Sequence, residues 1–104
     1  QLWIMFVDGD GRQTPVVMPV SDIPHRPPRR PLTGLTEVLR SLRPDLTTGL
    51  GPGSVILTIE RRGPAGPAPR DREWAAALVR PCRTADVGLR GVFLSSDAGV
   101  RRLA

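Results

Sequence analysis

Lysine and tyrosine are missing from this sequence, and cysteine and histidine occur once each. Without lysine there is no phosphate-loop signature, because that motif needs its lysine to reach the terminal phosphates. The single Cys82 excludes an intrachain disulfide framework and a cysteine-rich zinc site. It reads as a small half-buried side chain, since a reactive thiolate needs an activating neighbour. The one histidine, His25, stands between Pro24 and Arg26 in a proline-rich stretch and reads as a solvated loop residue, with nothing to position it as a base. No serine sits in a nucleophile elbow, and Ser95-Ser96 fall in a turn with no histidine to activate them. No apolar run approaches the length of a membrane span, and no signal-peptide pattern opens the chain. The expected setting is therefore cytoplasmic, with no membrane partner.

What is present is 104 residues carrying 15 basic side chains, all arginine, against 10 acidic ones, for a formal charge of +5. Hydrophobic residues at 39% and charged residues at 24% are ordinary globular proportions. At this length the expectation is one domain over 1–104 with a single thin core, and a chain that begins with Gln is open to being a piece of a longer protein. The positive balance favours anionic partners. An all-arginine set with abundant Ala, Gly and Pro is also what a GC-rich genome writes into any protein, which weakens that reading.

Leu2 to Val7 is a continuous apolar run, as expected of a strand covered on both faces. Asp8-Gly9-Asp10-Gly11 then supplies a turn and Gln13 to Val20 a second strand, which Pro15 and Pro19 assign to a sheet edge. The Asp-x-Asp-Gly string has the start of a calcium loop but neither its later ligands nor its closing glutamate. Ser21 to Pro31, with Pro24, Pro27, Pro28 and Pro31, reads as an exposed, partly polyproline-like connector. Thr33 is positioned to cap a helix from Gly34 to Leu42, which Pro44 ends. Ser54 to Glu60 reads as a central buried strand, and 61–70 as a loop. Asp71 starts a second helix with Trp74, Ala77, Leu78, Cys82 and Ala85 on one face, kinked by Pro81. Leu89 to Leu94 is a third buried run, Ser95 to Gly99 a turn, and Val100 to Leu103 a short final strand.

The order β-β-α-β-α-β-β implies an α/β fold: a small mixed sheet in a layered α/β sandwich, with right-handed crossovers. Both helices lie on one face of the sheet or one on each. Ligands of open α/β sheets favour the carboxyl ends of parallel strands, here the loop after Glu60.

That loop carries a resemblance. A buried strand, then Arg61-Arg62-Gly63-Pro64-Ala65-Gly66, Pro67-Ala68-Pro69 and a helix, resembles the zinc loop of the JAB/MPN metallopeptidase-like family, in its bacterial RadC-like branch. The likeness covers roughly residues 55–95, including Ala85 to Leu94 as helix end and returning strand, and implies a deaminase-like α/β fold. The family pattern is His-x-His-Pro-x-Gly, Pro-x-Pro and an acidic ligand on the helix. Pro64, Gly66, Pro67 and Pro69 fall on its loop-shaping positions. Arg61 and Gly63 fall where the histidine ligands belong, Ala65 replaces the usual serine, and Asp71 or Glu73 supplies the one carboxylate. A catalytic zinc needs three protein ligands, so the resemblance implies a degenerate, metal-free relative with no cofactor.

The candidate loop residues are thus Glu60, Arg61, Arg62, Asp71 and Glu73, which the sequence favours as solvated ion pairs over an acid–base cluster. Candidate anion contacts are Arg26, Arg29, Arg30, Arg70, Arg101 and Arg102. The aromatics Trp3, Phe6, Trp74 and Phe93 all sit in apolar patterns that read as core, which leaves base stacking without a carrier. The leading expectation is a non-catalytic interaction or scaffolding module with a protein partner or self-association. The alternatives are an arginine-mediated nucleic-acid-binding accessory protein and a hydrolase with its site in the loop 60–73.

Overall fold

The computed structural model describes residues 1–30, 32–64 and 66–104. Five strands, β1 (Leu2–Val7), β2 (Gln13–Val20), β3 (Ser54–Glu60), β4 (Gly88–Ser96) and β5 (Gly99–Arg102), form one mixed sheet in the order β2-β1-β3-β4-β5. Only β3 and β4 pair in parallel, and the other neighbours are antiparallel. The helices α1 (Thr33–Leu46) and α2 (Pro69–Thr84) bridge β2 to β3 and β3 to β4. This is the α/β sandwich with a small mixed sheet that the element order implies, with β2 on an edge where its two prolines cost the least pairing.

Both crossovers progress across the sheet in the same direction, so a right-handed turn puts both helices on the same face. Period-two alternation then decides what is buried. Leu2, Ile4 and Phe6 of β1, Val55, Leu57 and Ile59 of β3, and Val92 and Leu94 of β4 face Leu39, Leu46, Trp74, Leu78 and Cys82 of the helices. The expectation that the apolar strands are covered on both faces is corrected. Trp3, Met5, Ile56, Thr58 and Phe93 point the other way and are only half-buried, and among the described residues no helix lies over them. Trp3 and Phe93 are therefore not core, whereas Phe6 and Trp74 are. Cys82 is fully buried, not half-buried, and burial pushes its thiol up to about 11.

Other boundaries move for local reasons. Helix α1 passes Pro44 and ends at Leu46, with Leu32 and not Thr33 preceding its first turn. Pro44 has no N–H to donate to the carbonyl of the exposed Arg40, and water replaces that donor cheaply. Helix α2 begins at Pro69, whose fixed φ suits the first turn, and continues through Pro81 to Thr84. Its buried face carries Ala75, while Ala77 is half-buried. Strand β4 is longer than the apolar run and contains a bulge between its pairings at Leu89 and Gly91, which aims the Arg90 side chain at Ser54 Oγ, 2.8 Å away. The aspartates of the first turn are used locally. Asp8 Oδ1 accepts the N–H groups of Asp10 and Arg12, and Asp10 Oδ1 accepts the Thr48 hydroxyl, each at 2.9–3.0 Å.

The connector is tied to α2. Trp74 Nε1 donates to the carbonyls of Pro24 and His25 at 3.2 and 3.3 Å, and Ile23 packs against the core. The connector's last residue in the sequence reading, Pro31, and Ala65 of the loop lie outside the described residues. Among the described residues no helix is long and apolar enough to cross a membrane.

Candidate functional site

The loop after β3 leaves the carboxyl end of the parallel pair, the place where open α/β sheets hold ligands. The Arg61 backbone N–H donates to Ser95 O at 2.9 Å, so the loop starts pinned to β4. Its guanidinium then turns inward. Nε donates to Asp71 Oδ1 at 3.1 Å and Nη2 to Asp71 Oδ2 at 2.8 Å, in a bidentate fork. The remaining donors serve the loop itself. Nη1 bonds the carbonyls of Arg62 and Pro64 at 3.0 Å, and Nη2 that of Gly66 at 3.1 Å.

Asp71 is equally committed. Its Oδ2 also accepts the Ala68 N–H at 2.7 Å, satisfying one of the donors that open α2. Its side chain is 2% exposed and that of Arg61 10%. Burial opposes ionisation of this carboxyl, but the hydrogen bonds from Arg61 and the Ala68 N–H outweigh it and hold the group below its ordinary range. The same hydrogen bond to Asp71 raises the already high Arg61. The expectation of solvated ion pairs is thus corrected here: a strand end and a helix first turn close over this pair.

The other carboxylates go elsewhere. Glu60 Oε1 accepts Trp3 Nε1 at 3.2 Å on the uncovered sheet face, and Glu73 pairs with Arg26 at 3.0 Å in solvent. Glu60, Asp71 and Glu73 therefore make no acid–base pair. Arg62 lines an open cleft of about 460 Å³ with Ser95 and Asp97, and the Gly63 N–H donates to Asp97 Oδ2 at 2.9 Å. A zinc ion does not fit this loop, because a guanidinium fills its centre and the one buried carboxylate is saturated by it. Among the described residues no three His, Cys, Asp or Glu side chains converge.

The predicted anion contacts scatter. Arg70 Nη1 lies 3.0 Å from His25 Nδ1, Arg101 is exposed on β5, and Arg102 sits 5.9 Å from the Phe93 ring centre while donating to the carbonyls of Arg90 and Ala104. Arg29 and Arg30 line the outer groove between α1 and α2 together with Arg40 and Arg80, which sequence reading passed over. It also passed over the uncovered sheet face, because Leu2–Val7 is apolar at every position and only the structure shows its burial alternating. On this face Trp3, Thr58 and Phe93 form one cross-strand row, flanked by Pro19 and Arg102, and Val17, Met5 and Ile56 form a second. Beneath the connector, on the helical side, an apolar groove of about 530 Å³ runs between β1–β2 and α1.

No protein-family model, curated protein or solved structure matches this chain. Its class rests on its own geometry: a two-layer α/β sandwich with one sheet face bare and its strand-end loop locked by a buried ion pair.

Proposed function

We propose that the chain is a non-catalytic interaction module working through the bare face of its sheet, and that its first partner is a second copy of itself. The observation that carries this reading is the two-row patch of Trp3, Met5, Ile56, Thr58, Phe93 and Val17, apolar but for its central threonine. Strands β1, β3 and β4 pack their other face into the core, and Val17 extends the patch onto the edge strand β2. Such contiguous apolar surface marks interaction sites. The ends of the patch carry opposite charges, Glu60 at the carboxyl end of β3 and Arg90 beside Ser54 at its start. A two-fold axis lying between two such faces and across their strands brings each Glu60 towards the partner's Arg90, which is the self-complementarity that an isologous interface needs.

The locked Arg61–Asp71 loop supports the non-catalytic part of the reading, and agrees with a degenerate JAB/MPN-like relationship over 55–95 in which the metal centre has been replaced by an ion pair. It gives no support to a hydrolase at 60–73. One observation favours a second reading: Trp3 and Phe93 stand solvent-side with Arg102 against Phe93, the equipment of a sheet that stacks single-stranded bases. Light scattering after size exclusion separates the two. The expected result is twice the chain mass, falling to the single mass in Val17→Glu or Thr58→Glu. A monomer at every concentration, with an oligonucleotide bound through Trp3, replaces the leading reading with the second.

A further inference from the structure

The outer groove between α1 and α2, on the side of the molecule away from the bare sheet face, gathers arginines from three elements. Arg29 and Arg30 come from the connector, Arg40 from α1 and Arg80 from α2, around about 430 Å³ of open volume. Four guanidiniums there face one lining carboxylate, Glu37. Some arginines elsewhere are paired off, Arg26 with Glu73, Arg43 with Asp86 and Arg61 with Asp71, and those that are not, such as Arg12, Arg72, Arg83 and Arg101, lie outside this groove. Among the described residues, none of these four forms an ion pair or donates to a carbonyl. Like charges held together with their donors free build a positive potential in a concave site, and each planar fork matches a carboxylate.

The floor of the groove identifies the anion. Besides the charged groups it is lined by small and aliphatic residues such as Leu32, Ala76, Ala77 and Pro81 together with three threonines, and among the described residues no aromatic side chain lines it. A nucleic-acid strand would leave its bases without a stacking surface and its sugars against methyl groups. An extended protein segment that alternates carboxylates with small apolar side chains satisfies both the walls and the floor, as arginine clusters do in acidic-motif recognition. We propose that the α1–α2 groove is a docking site for an acidic peptide segment of a partner protein. It is independent of pairing through the sheet face, which uses none of these residues.

The test is fluorescence polarisation at about 50 mM salt, where screening is modest. The probes are a fluorescein-labelled peptide alternating glutamate with alanine and leucine, and a labelled oligothymidylate. The expected result is saturable peptide binding that weakens at least tenfold in Arg40→Glu/Arg80→Glu and persists in Arg12→Glu/Arg101→Glu, which changes net charge equally but elsewhere. All four arginines are exposed, and unchanged thermal melts confirm that the variants fold. Absence of peptide binding overturns the proposal, as does equal weakening by both double variants. Tighter binding of oligothymidylate than of peptide, lost in Arg40→Glu/Arg80→Glu, also overturns it and assigns the groove to nucleic acid.

Discussion

At the scale of single residues the decisive pair is Arg61 and Asp71, because each is nearly out of solvent and each depends on the other for its charge. Breaking a buried pair from one side leaves an uncompensated ion, which typically costs about 3–5 kcal/mol. Asp71→Asn is expected to lose that much in chemical denaturation, since it strips the guanidinium of its anion. The pH dependence follows from the direction of the shift. The folded carboxyl titrates below its ordinary value of 3.8, so its contribution is complete above the unfolded value and disappears as pH falls through the folded one. The stability gap between wild type and Asp71→Asn should therefore be constant near neutrality and shrink below about pH 4. A gap that stays constant down to pH 2 would show that the pair contributes packing and no charge. This pairing was only half legible in the sequence. The ten-residue separation of Arg61 and Asp71 around a Gly/Pro loop placed both at one strand end. Their burial was not legible, because it arises when Pro69 starts α2 two residues early and turns Asp71 back onto Ala68.

At the scale of elements, the strands and their order follow from local signals, and the helix ends do not. Pro44 stops no helix, because the carbonyl it orphans belongs to the solvent-facing Arg40. Long-range contacts instead fix the end of α1. The Gly9 N–H donates to Leu46 O at 2.9 Å, and Gly53 lies so close to Leu46 that a side chain there would strike the Leu46 Cβ and come within 2.5 Å of Val7 O. Two glycine-to-alanine substitutions separate these effects. Gly53→Ala forces the junction of α1, β1 and β3 apart and should destabilise by about 1–3 kcal/mol, the usual cost of overpacking. Gly34→Ala meets nothing within 4 Å inside α1, and should stabilise by about 0.5–1 kcal/mol through better helix propensity. Thermal melts of both variants check the prediction, and a neutral Gly53→Ala would contradict the close approach.

At the scale of the whole molecule, the sheet has five strands, but the described residues supply two helices, and chirality sends both to one side. The sequence could not reveal this, since Leu-Trp-Ile-Met-Phe-Val reads alike whether one face or both are covered. Which residues are left bare is a consequence of crossover handedness, and with it the placing of Trp3 and Phe93 on the surface. A face of this kind couples stability to concentration. If two copies cover each other, the folded dimer is favoured by mass action and the melting temperature rises with protein concentration. The expected signature is a Tm that climbs steadily across a hundredfold concentration series in the wild type and stays flat in Val17→Glu. Val17 is 44% exposed on an edge strand, so its substitution removes the association without touching the core. A wild-type Tm independent of concentration would sink self-association and leave the bare face to a different partner.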